Sequence, residues 1–289
     1  MVILVTGATG NVGRNVVAQL LAEGVQVRAL TRDPGAARLP AEVEVFAGDL
    51  QAPESLPAAL DGVERAFLFP VFGALEGFLQ AAVAAQLRQV VLLSSSFSAG
   101  SLSELNEVGR RHAACEQAVL DSGLPWTFVR PVNFMANDLS WAAQIQAQGV
   151  VRGAYGEART VPIDERDVAA AAVAALLDER HLGQAYTLSG GQALTQAERV
   201  GIIGSVLGRE LAFEELALDQ ARVMMGRFLP APVVEVLLAG LAAQVGARPS
   251  ALPGVEELTG RPPYGYEQWV RHRLAEFNGT AAGAAARIY

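Results

Sequence analysis

Gly7, Gly10 and Gly13 follow an apolar run, Val2–Val5, and lead into a helical stretch that begins near Asn11. That combination builds an anion site. Glycine permits positive φ at a tight turn, and its missing Cβ lets a phosphate approach the backbone. A helix N-terminus adds unpaired N–H groups at the positive end of its dipole. The spacing is Gly-x-x-Gly-x-x-Gly rather than the Gly-x-Gly-x-x-Gly of the common dinucleotide fingerprint. The strand before it and the helix after it make it a nucleotide site, since a plain strand-to-helix turn would not need three glycines on one face. The other chemical groups are the triplet Ser94-Ser95-Ser96 and His112 with Glu116 one helical turn on. A histidine beside a carboxylate is a workable acid/base pair. A structural reading of His112 stands beside it: Leu105, Val108, His112, Cys115 and Val119 recur at the spacing of a helix core stripe.

These groups must be positioned by a regular scaffold, and the first half of the chain supplies one. Apolar runs at Val2–Thr6, Val25–Thr31, Val43–Ala47, Arg65–Phe69, Gln89–Ser94 and Trp126–Arg130 alternate with helical stretches at Asn11–Glu23, Pro53–Leu60, Leu75–Gln86 and Ser103–Ser122. This rhythm implies βαβ units and an α/β, doubly wound parallel sheet of the Rossmann type, with ligands at the carboxyl ends of its strands. After Pro131 the rhythm changes. A helix is expected over Phe134–Gln148, an extended segment over Arg159–Ile163, and a helix over Glu165–Leu177 with Asp164 as its N-cap. A short strand is expected at Ala185–Leu188, followed by a helix at Thr195–Leu207 that opens on the capping-box pair Thr195 and Glu198. The apolar stretch Met224–Val245, interrupted by Pro230 and Pro232, reads equally as a helical pair covering a pocket or as a dimer surface. The expected division is a dinucleotide-binding domain over 1–150, which also receives the strand near 158–163 and helix 165–177. A smaller, mainly helical substrate lobe follows over 178–289, with a frayed tail from 278.

Composition narrows the function classes. The chain has 289 residues, 51% hydrophobic and 18% charged, which is the balance of a globular protein with a full core. Its formal charge of −8, with no basic run, argues against nucleic acid. One cysteine and three histidines give no disulfide framework and no metal site. No apolar run reaches the roughly 18 residues of a membrane span. A first strand at residue 2 leaves no room for a signal peptide, so the cytoplasm is expected. Monomer and homodimer are both open.

Several ordered motifs now join the loop: Thr6-Gly7-Ala8-Thr9-Gly10-Asn11-Val12-Gly13, Arg28-Ala29-Leu30-Thr31-Arg32-Asp33-Pro34, Gly48-Asp49-Leu50, Ser94-Ser95 and His112-x-x-x-Glu116. They continue with Asp121-Ser122-Gly123-Leu124-Pro125-Trp126-Thr127, Arg130-Pro131-Val132-Asn133-Phe134-Met135-x-Asn137, Ile163-Asp164-x-x-Asp167-Val168-Ala169 and Gly183-x-x-Tyr186-x-Leu188-x-Gly190. In these the chain resembles the atypical short-chain dehydrogenase/reductases of the NmrA-like group, which includes NADPH-dependent quinone and triphenylmethane reductases and cofactor-sensing regulators. The resemblance implies a nicotinamide dinucleotide held by the Thr6–Gly13 loop, notably Thr6, Gly7, Thr9, Gly10, Asn11, Val12 and Gly13. It implies Asp49 and Leu50 at the adenine, with an N-cap as the other reading of Asp49. It also implies Phe69 and Pro70 beside the ribose, and Ser94 and Pro131 near the nicotinamide.

The residue closing the second strand selects the cofactor. A carboxylate there accepts from the ribose 2′-hydroxyl and repels a 2′-phosphate, whereas arginine welcomes the phosphate. The strand ends Leu30-Thr31-Arg32, so NADP(H) is favoured over NAD(H), with Arg14 able to assist; a solvated surface role is the alternative for Arg32.

Typical members of the superfamily carry Tyr-x-x-x-Lys on the helix after strand five, where tyrosine moves the proton and lysine holds the ribose. Aligned on Asp121-Ser122-Gly123, those positions fall on Ala113 and Gln117. Gln117 can still hydrogen-bond a ribose hydroxyl without supplying charge. Ser95 and His112 are then the catalytic candidates. Phe72, Phe97, Asn133, Phe134 and Met135 are the substrate-side candidates, with Trp141, Met224, Met225 and Phe228 as further apolar walls; Asn133 and Asn137 read also as helix caps. Hydride transfer to a quinone or an iminium does not require a protein acid. The expected function is therefore an NADPH-dependent oxidoreductase for a hydrophobic small molecule such as a quinone, imine or enone. The alternatives are an NADP(H) redox sensor without turnover, and a non-redox isomerase or cyclase on the same scaffold.

Overall fold

The computed structural model describes residues 1–100 and 106–280. They form two units with an interleaved chain. The first comprises Met1–Val132, Glu165–Leu188 and Pro253–Pro262; the second comprises Asn133–Asp164, Ser189–Leu252 and Pro263 onward.

The first unit is built on seven parallel strands: β1 (Val2–Thr6), β2 (Gln26–Thr31), β3 (Glu44–Ala47), β4 (Arg65–Leu68), β5 (Gln89–Leu93), β6 (Trp126–Pro131) and β9 (Gln184–Leu188). Their spatial order is β3-β2-β1-β4-β5-β6-β9. The order reverses at β1, whose two neighbours β2 and β4 carry the chain to opposite edges, and such a switch point opens a crevice at the carboxyl ends of the strands. Every residue of β4 and β5 is buried, as expected of strands covered on both faces.

One face buries Leu4, Ala66, Leu68, Val90, Leu92 and Phe128 against α2 (Pro57–Leu60), α3 (Leu75–Ala84) and α4 (Glu107–Asp121). The other presents Ile3, Val5, Phe67 and Val91, with α1 (Gly13–Ala22) and α6 (Glu165–Leu177) against the strands. At the amino end of the sheet, Arg65 donates to Leu176 O at 2.6 Å and Gln89 to Ala175 O at 2.9 Å. Those carbonyls belong to the last turn of α6, which has no helical partner for them.

The expected strands and the helix Glu165–Leu177 lie where the sequence put them. Two of the expected helical stretches are divided. The stretch Pro53–Leu60 divides into a 3-10 turn, Pro53–Ser55, and α2. The stretch Phe134–Gln148 divides into a 3-10 segment, Met135–Trp141, and α5 (Ala142–Gln148). Residues 101–105 and 281–289, which hold Leu105, the start of the expected Ser103 helix and most of the expected tail, lie outside the described residues.

The division into units also differs from 1–150 and 178–289. The segment near 158–163 does not join the large sheet. Its two-residue strand β8 (Arg159–Thr160) pairs antiparallel with β10 (Leu194–Thr195) in the second unit, and β9 takes the edge beside β6 instead. Gly254, at the start of α10 (Gly254–Thr259), fits against that edge because a Cβ there would stand 2.5 Å from Thr187 O.

The second unit gathers Met135, Ile145, Val151, Val200, Ile203, Trp269 and Phe277 into a core between α5, α7 (Gln196–Leu207), α11 (Tyr266–His272) and α12 (Leu274–Asn278). Its small parallel pair is β7 (Val150–Gly153) with β11 (Ala212–Glu215). Buried Asp138 is hydrogen-bonded on both oxygens by Arg199, at 2.7 and 2.8 Å, and receives the Tyr266 hydroxyl as well. The capping box forms: Glu198 N donates to Thr195 Oγ1 at 3.0 Å and Thr195 N to Glu198 Oε2 at 2.8 Å. The apolar stretch forms α8 (Leu218–Met225) and α9 (Ala231–Ala242), with Phe228 between them 84% exposed. No described helix is long and apolar enough to cross a membrane.

Candidate active site

The loop between β1 and α1 turns at Gly7, whose φ of +61° belongs to the left-handed region. Gly10 N donates to Gly7 O at 2.9 Å, and α1 then starts at Gly13, two residues later than expected. The delay leaves a longer loop at the helix mouth. Among the described residues, the N–H groups of Asn11, Val12 and Gly13 have no acceptor in the chain. Val12 precedes the helix without a side-chain cap. Free donors at the positive end of a ten-residue helix are the arrangement that binds a phosphate.

The neighbouring side chains fall into two groups, those spent on the scaffold and those left available. Thr6 is spent: its hydroxyl donates to Phe67 O and accepts from Phe69 N at 2.7 Å, tying the end of β1 to the end of β4. Arg14 is spent as well. It donates to Thr9 O at 2.7 Å and Gly10 O at 3.2 Å, bracing the loop from outside instead of reaching toward β2. Asp33 accepts from Ala36 N at 3.2 Å and caps the 3-10 turn Pro34–Ala36. Arg32, exposed beside it, has no partner among the described residues. Asp49 accepts from Gln51 N at 3.0 Å in its own turn, and Leu50 is buried in the core. Phe69 is 41% exposed and lies against Gly7, where a Cβ would stand 3.0 Å from the Phe69 Cβ and 3.1 Å from its Cγ.

The candidate residues past β5 are rearranged relative to expectation. Ser94 is buried, and its hydroxyl donates to Glu116 Oε1 at 2.5 Å, so it is not offered to a cofactor. Ser95 is half-buried; its Oγ accepts from Phe97 N at 3.3 Å, and its own proton has no acceptor among the described residues. Gln117 is exposed and donates to Asp121 at 2.8 Å along the outside of α4, which corrects its cofactor assignment. The sheet-facing i, i+4 pair of α4 is His112 and Glu116, one position earlier than the alignment on Asp121-Ser122-Gly123 placed it. The sequence contains no lysine, so no Tyr-x-x-x-Lys pair exists anywhere in it.

His112 and Glu116 do not form the expected acid/base pair, because Glu116 is taken by Ser94, Ser98 and Arg130. His112 packs edge-on against Phe72, ring centroids 5.0 Å apart, and its buried Nδ1 has no hydrogen-bond partner among the described residues. Burial lowers its pKa to about 4, against a smaller opposing effect of the Glu116 charge. The unfolded chain therefore takes up this proton first. The stability contributed by a neutral His112 is complete above pH 6.5, declines as the pH falls, and is gone below about 4. We expect His112→Phe to flatten the acid limb of the unfolding free energy, read from urea melts between pH 6.5 and 4, by about 3 kcal/mol. Parallel limbs for the two proteins would show that His112 is charged in the fold.

Pro131, buried at the end of β6, offers only its backbone. Phe72 and Phe97 are 42% and 44% exposed. In the second unit, Asn133 Nδ2 donates to Thr160 Oγ1 at 3.4 Å, and half-buried Phe134 packs on the local core. Met135 is 2% exposed inside that core, so its substrate assignment is corrected. Ser98 and Arg130 were missed as site residues. The one signal for them was a charged residue, Glu116, on the face of a helix that otherwise carries Cys115 and Val119 into the core.

A family model described as NAD(P)H-binding matches residues 7–179. Over 280 residues the chain is 45% identical to the (4-alkanoyl-5-oxo-2,5-dihydrofuran-3-yl)methyl phosphate reductase of Streptomyces griseus, covering 95% of this chain and 99% of that protein. It is 35% identical over 286 residues to an NAD(P)H azoreductase of Xenophilus azovorans, with the same coverages. Among solved structures, a NADPH-dependent quinone oxidoreductase from Escherichia coli superimposes with a TM-score of 0.79 at 25% identity, over 94% of this chain and 99% of that one.

Proposed function

The chain belongs to the NAD(P)H-binding family, and we propose that it is an NADPH-dependent reductase of electron-poor, hydrophobic small molecules such as quinones, imines and enones. The observation that carries the reading is that, among the described residues, the N–H groups of Asn11, Val12 and Gly13 at the switch point and Arg32 at the end of β2 have no partner. The residues present fit the cofactor. The loop donors suit a pyrophosphate, Arg32 a 2′-phosphate, and Phe69 the apolar side of a ribose. When bound, NADPH supplies a hydride.

The protein contributes position and one hydrogen bond. Ser95, whose hydroxyl proton has no acceptor among the described residues, donates a hydrogen bond to a substrate oxygen from the carboxyl end of β5. His112, neutral near pH 7, stores no proton, so the proton that completes the product comes from water. Phe72 and Phe97 supply apolar surface for a flat acceptor. The names of the relatives support the reading: a (4-alkanoyl-5-oxo-2,5-dihydrofuran-3-yl)methyl phosphate reductase, an NAD(P)H azoreductase and a NADPH-dependent quinone oxidoreductase.

The test is oxidation of NADPH and of NADH by the purified protein with a quinone, an azo dye, an imine and an α,β-unsaturated lactone. Turnover of at least one acceptor, faster with NADPH, is expected. Equal, tight binding of NADP⁺ and NADPH without turnover of any acceptor would sink the proposal, as would conversion of a substrate with no nucleotide present.

A further inference from the structure

One buried carboxylate gathers side chains from three elements at the carboxyl end of the sheet. Glu116, on α4, is 6% exposed. Its Oε1 accepts from Ser94 Oγ at 2.5 Å, from Ser98 Oγ at 2.7 Å and from Arg130 Nε at 2.8 Å; its Oε2 accepts from Arg130 Nη2 at 2.6 Å. Ser94 follows β5, Ser98 closes the 3-10 turn Ser96–Ser98, and Arg130 lies near the end of β6, the strand paired with β5. Burial raises the carboxyl's pKa, but the hydrogen bonds from Arg130, Ser94 and Ser98 outweigh it and hold the group below the ordinary range, so Glu116 is charged.

Ser95 stands between the two serines. Its carbonyl accepts from Ser98 N at 3.0 Å and lies 2.7 Å from Ser98 Oγ, whose single proton it shares with Glu116 Oε1, and Ser94 N is fixed by Val129 O at 2.7 Å. The turn is thus pinned on both sides of Ser95 to a single carboxylate. The Ser95 hydroxyl proton itself has no acceptor among the described residues.

We propose that Glu116 is a positioning residue: through Ser94, Ser98 and Arg130 it fixes the Ser94–Ser98 turn and so aims the Ser95 hydroxyl at the carboxyl end of the sheet. A misplacement of about 1 Å at a reacting group is enough to cost an enzyme much of its rate, so a buried brace of this kind acts on turnover without touching substrate. Glu116→Gln keeps one acceptor but turns an amide N–H₂ toward a guanidinium that needs an acceptor. Ser94→Ala/Ser98→Ala removes the tether to the turn and leaves the Glu116–Arg130 pair intact, so it tests the same idea in a chain whose buried charges remain paired.

The kinetic part rests on the reductase reading above, and hydrogen exchange tests the brace independently of it. We expect backbone amides in 95–99 to exchange at least about tenfold faster in both variants than in the wild type. On an acceptor that the wild type reduces, both should lose about tenfold in kcat with KM and the NADPH Kd within about twofold. Ser95→Ala should lose at least as much, and Glu116→Gln should add nothing on top of it. Glu116→Asp, which restores the charge, should recover part of the rate. Unchanged exchange at 95–99 in both variants overturns the proposal, as do Glu116→Gln and Ser95→Ala losses that multiply. A wild type without turnover defeats the reductase reading instead, and the exchange rates then decide the role of Glu116.

Discussion

Arg32→Ala is expected to raise the Kd for NADPH about 100-fold while moving that for NADH by no more than about twofold, a difference of roughly 2.7 kcal/mol that matches a charge-assisted hydrogen-bonded contact to phosphate. The argument turns on two adjacent residues. An acid at the end of β2 would take the 2′-hydroxyl of NAD and repel a 2′-phosphate. Asp33 is the acid nearest that place, and its carboxylate is occupied by Ala36 N in the turn that follows. Arg32 is exposed and has no partner among the described residues, so its guanidinium loses nothing when it turns to a dianion. Arg14 cannot substitute, because Thr9 O and Gly10 O hold it. Arg32→Lys should fall between, near tenfold, since the charge survives but the planar fork does not. Fluorescence titration with both nucleotides checks the series. Equal weakening of NADPH and NADH would place Arg32 on a part of the cofactor that the two share, and would refute the NADP preference.

The scaffold of this site was legible in the sequence because its strands are written as short, nearly unbroken apolar runs, and buried parallel strands have no choice about that. Val90-Val91-Leu92-Leu93 can sit in the middle of such a sheet and in few other places. The glycine loop was legible for a related reason: its chemistry lies within seven consecutive residues. The Glu116 hub was not. Its members span positions 94 to 130 and meet only because β5 and β6 are neighbours and α4 covers the face on which Ser94 and Arg130 lie. No local periodicity records that adjacency. The same limit explains Gln117. A shift of one residue along a helix turns a side chain by 100°, so an alignment anchored on the loop after α4 exchanged the sheet-facing position for the solvent-facing one. β9 was recognised as a strand but not as the seventh member of the sheet. The chain makes a long excursion between β6 and β9, and sequence order says little about which of Arg159–Ile163 and Ala185–Leu188 returns to the edge.

Gly13→Ala is expected to abolish measurable binding of NADPH and NADH alike, a loss of more than 100-fold for each, and to lower the melting temperature. The reason is a contact inside the loop. A Cβ on Gly13 would stand 2.1 Å from Gly7 O, 2.7 Å from Gly7 C and 3.0 Å from Ala8 Cα. All three are backbone atoms, so no side-chain rotation relieves the collision. Either α1 withdraws from the end of β1 or the turn at Gly7 opens. Both movements displace the N–H groups of Asn11, Val12 and Gly13 on which the anion site depends. Gly10 tolerates more, because its Cβ would meet only Gly7 O, at 3.2 Å, and Gly10→Ala should retain weakened binding. Gly201→Ala gives the contrast. It lies within α7, where a Cβ meets nothing within 4 Å, and should raise stability by roughly 0.5–1 kcal/mol through helix propensity. Calorimetry on the three variants separates a folding effect from a binding effect. If Gly13→Ala binds both nucleotides within about threefold of the wild type, the phosphate does not sit at the start of α1, and the cofactor site must be sought elsewhere along the carboxyl edge of the sheet.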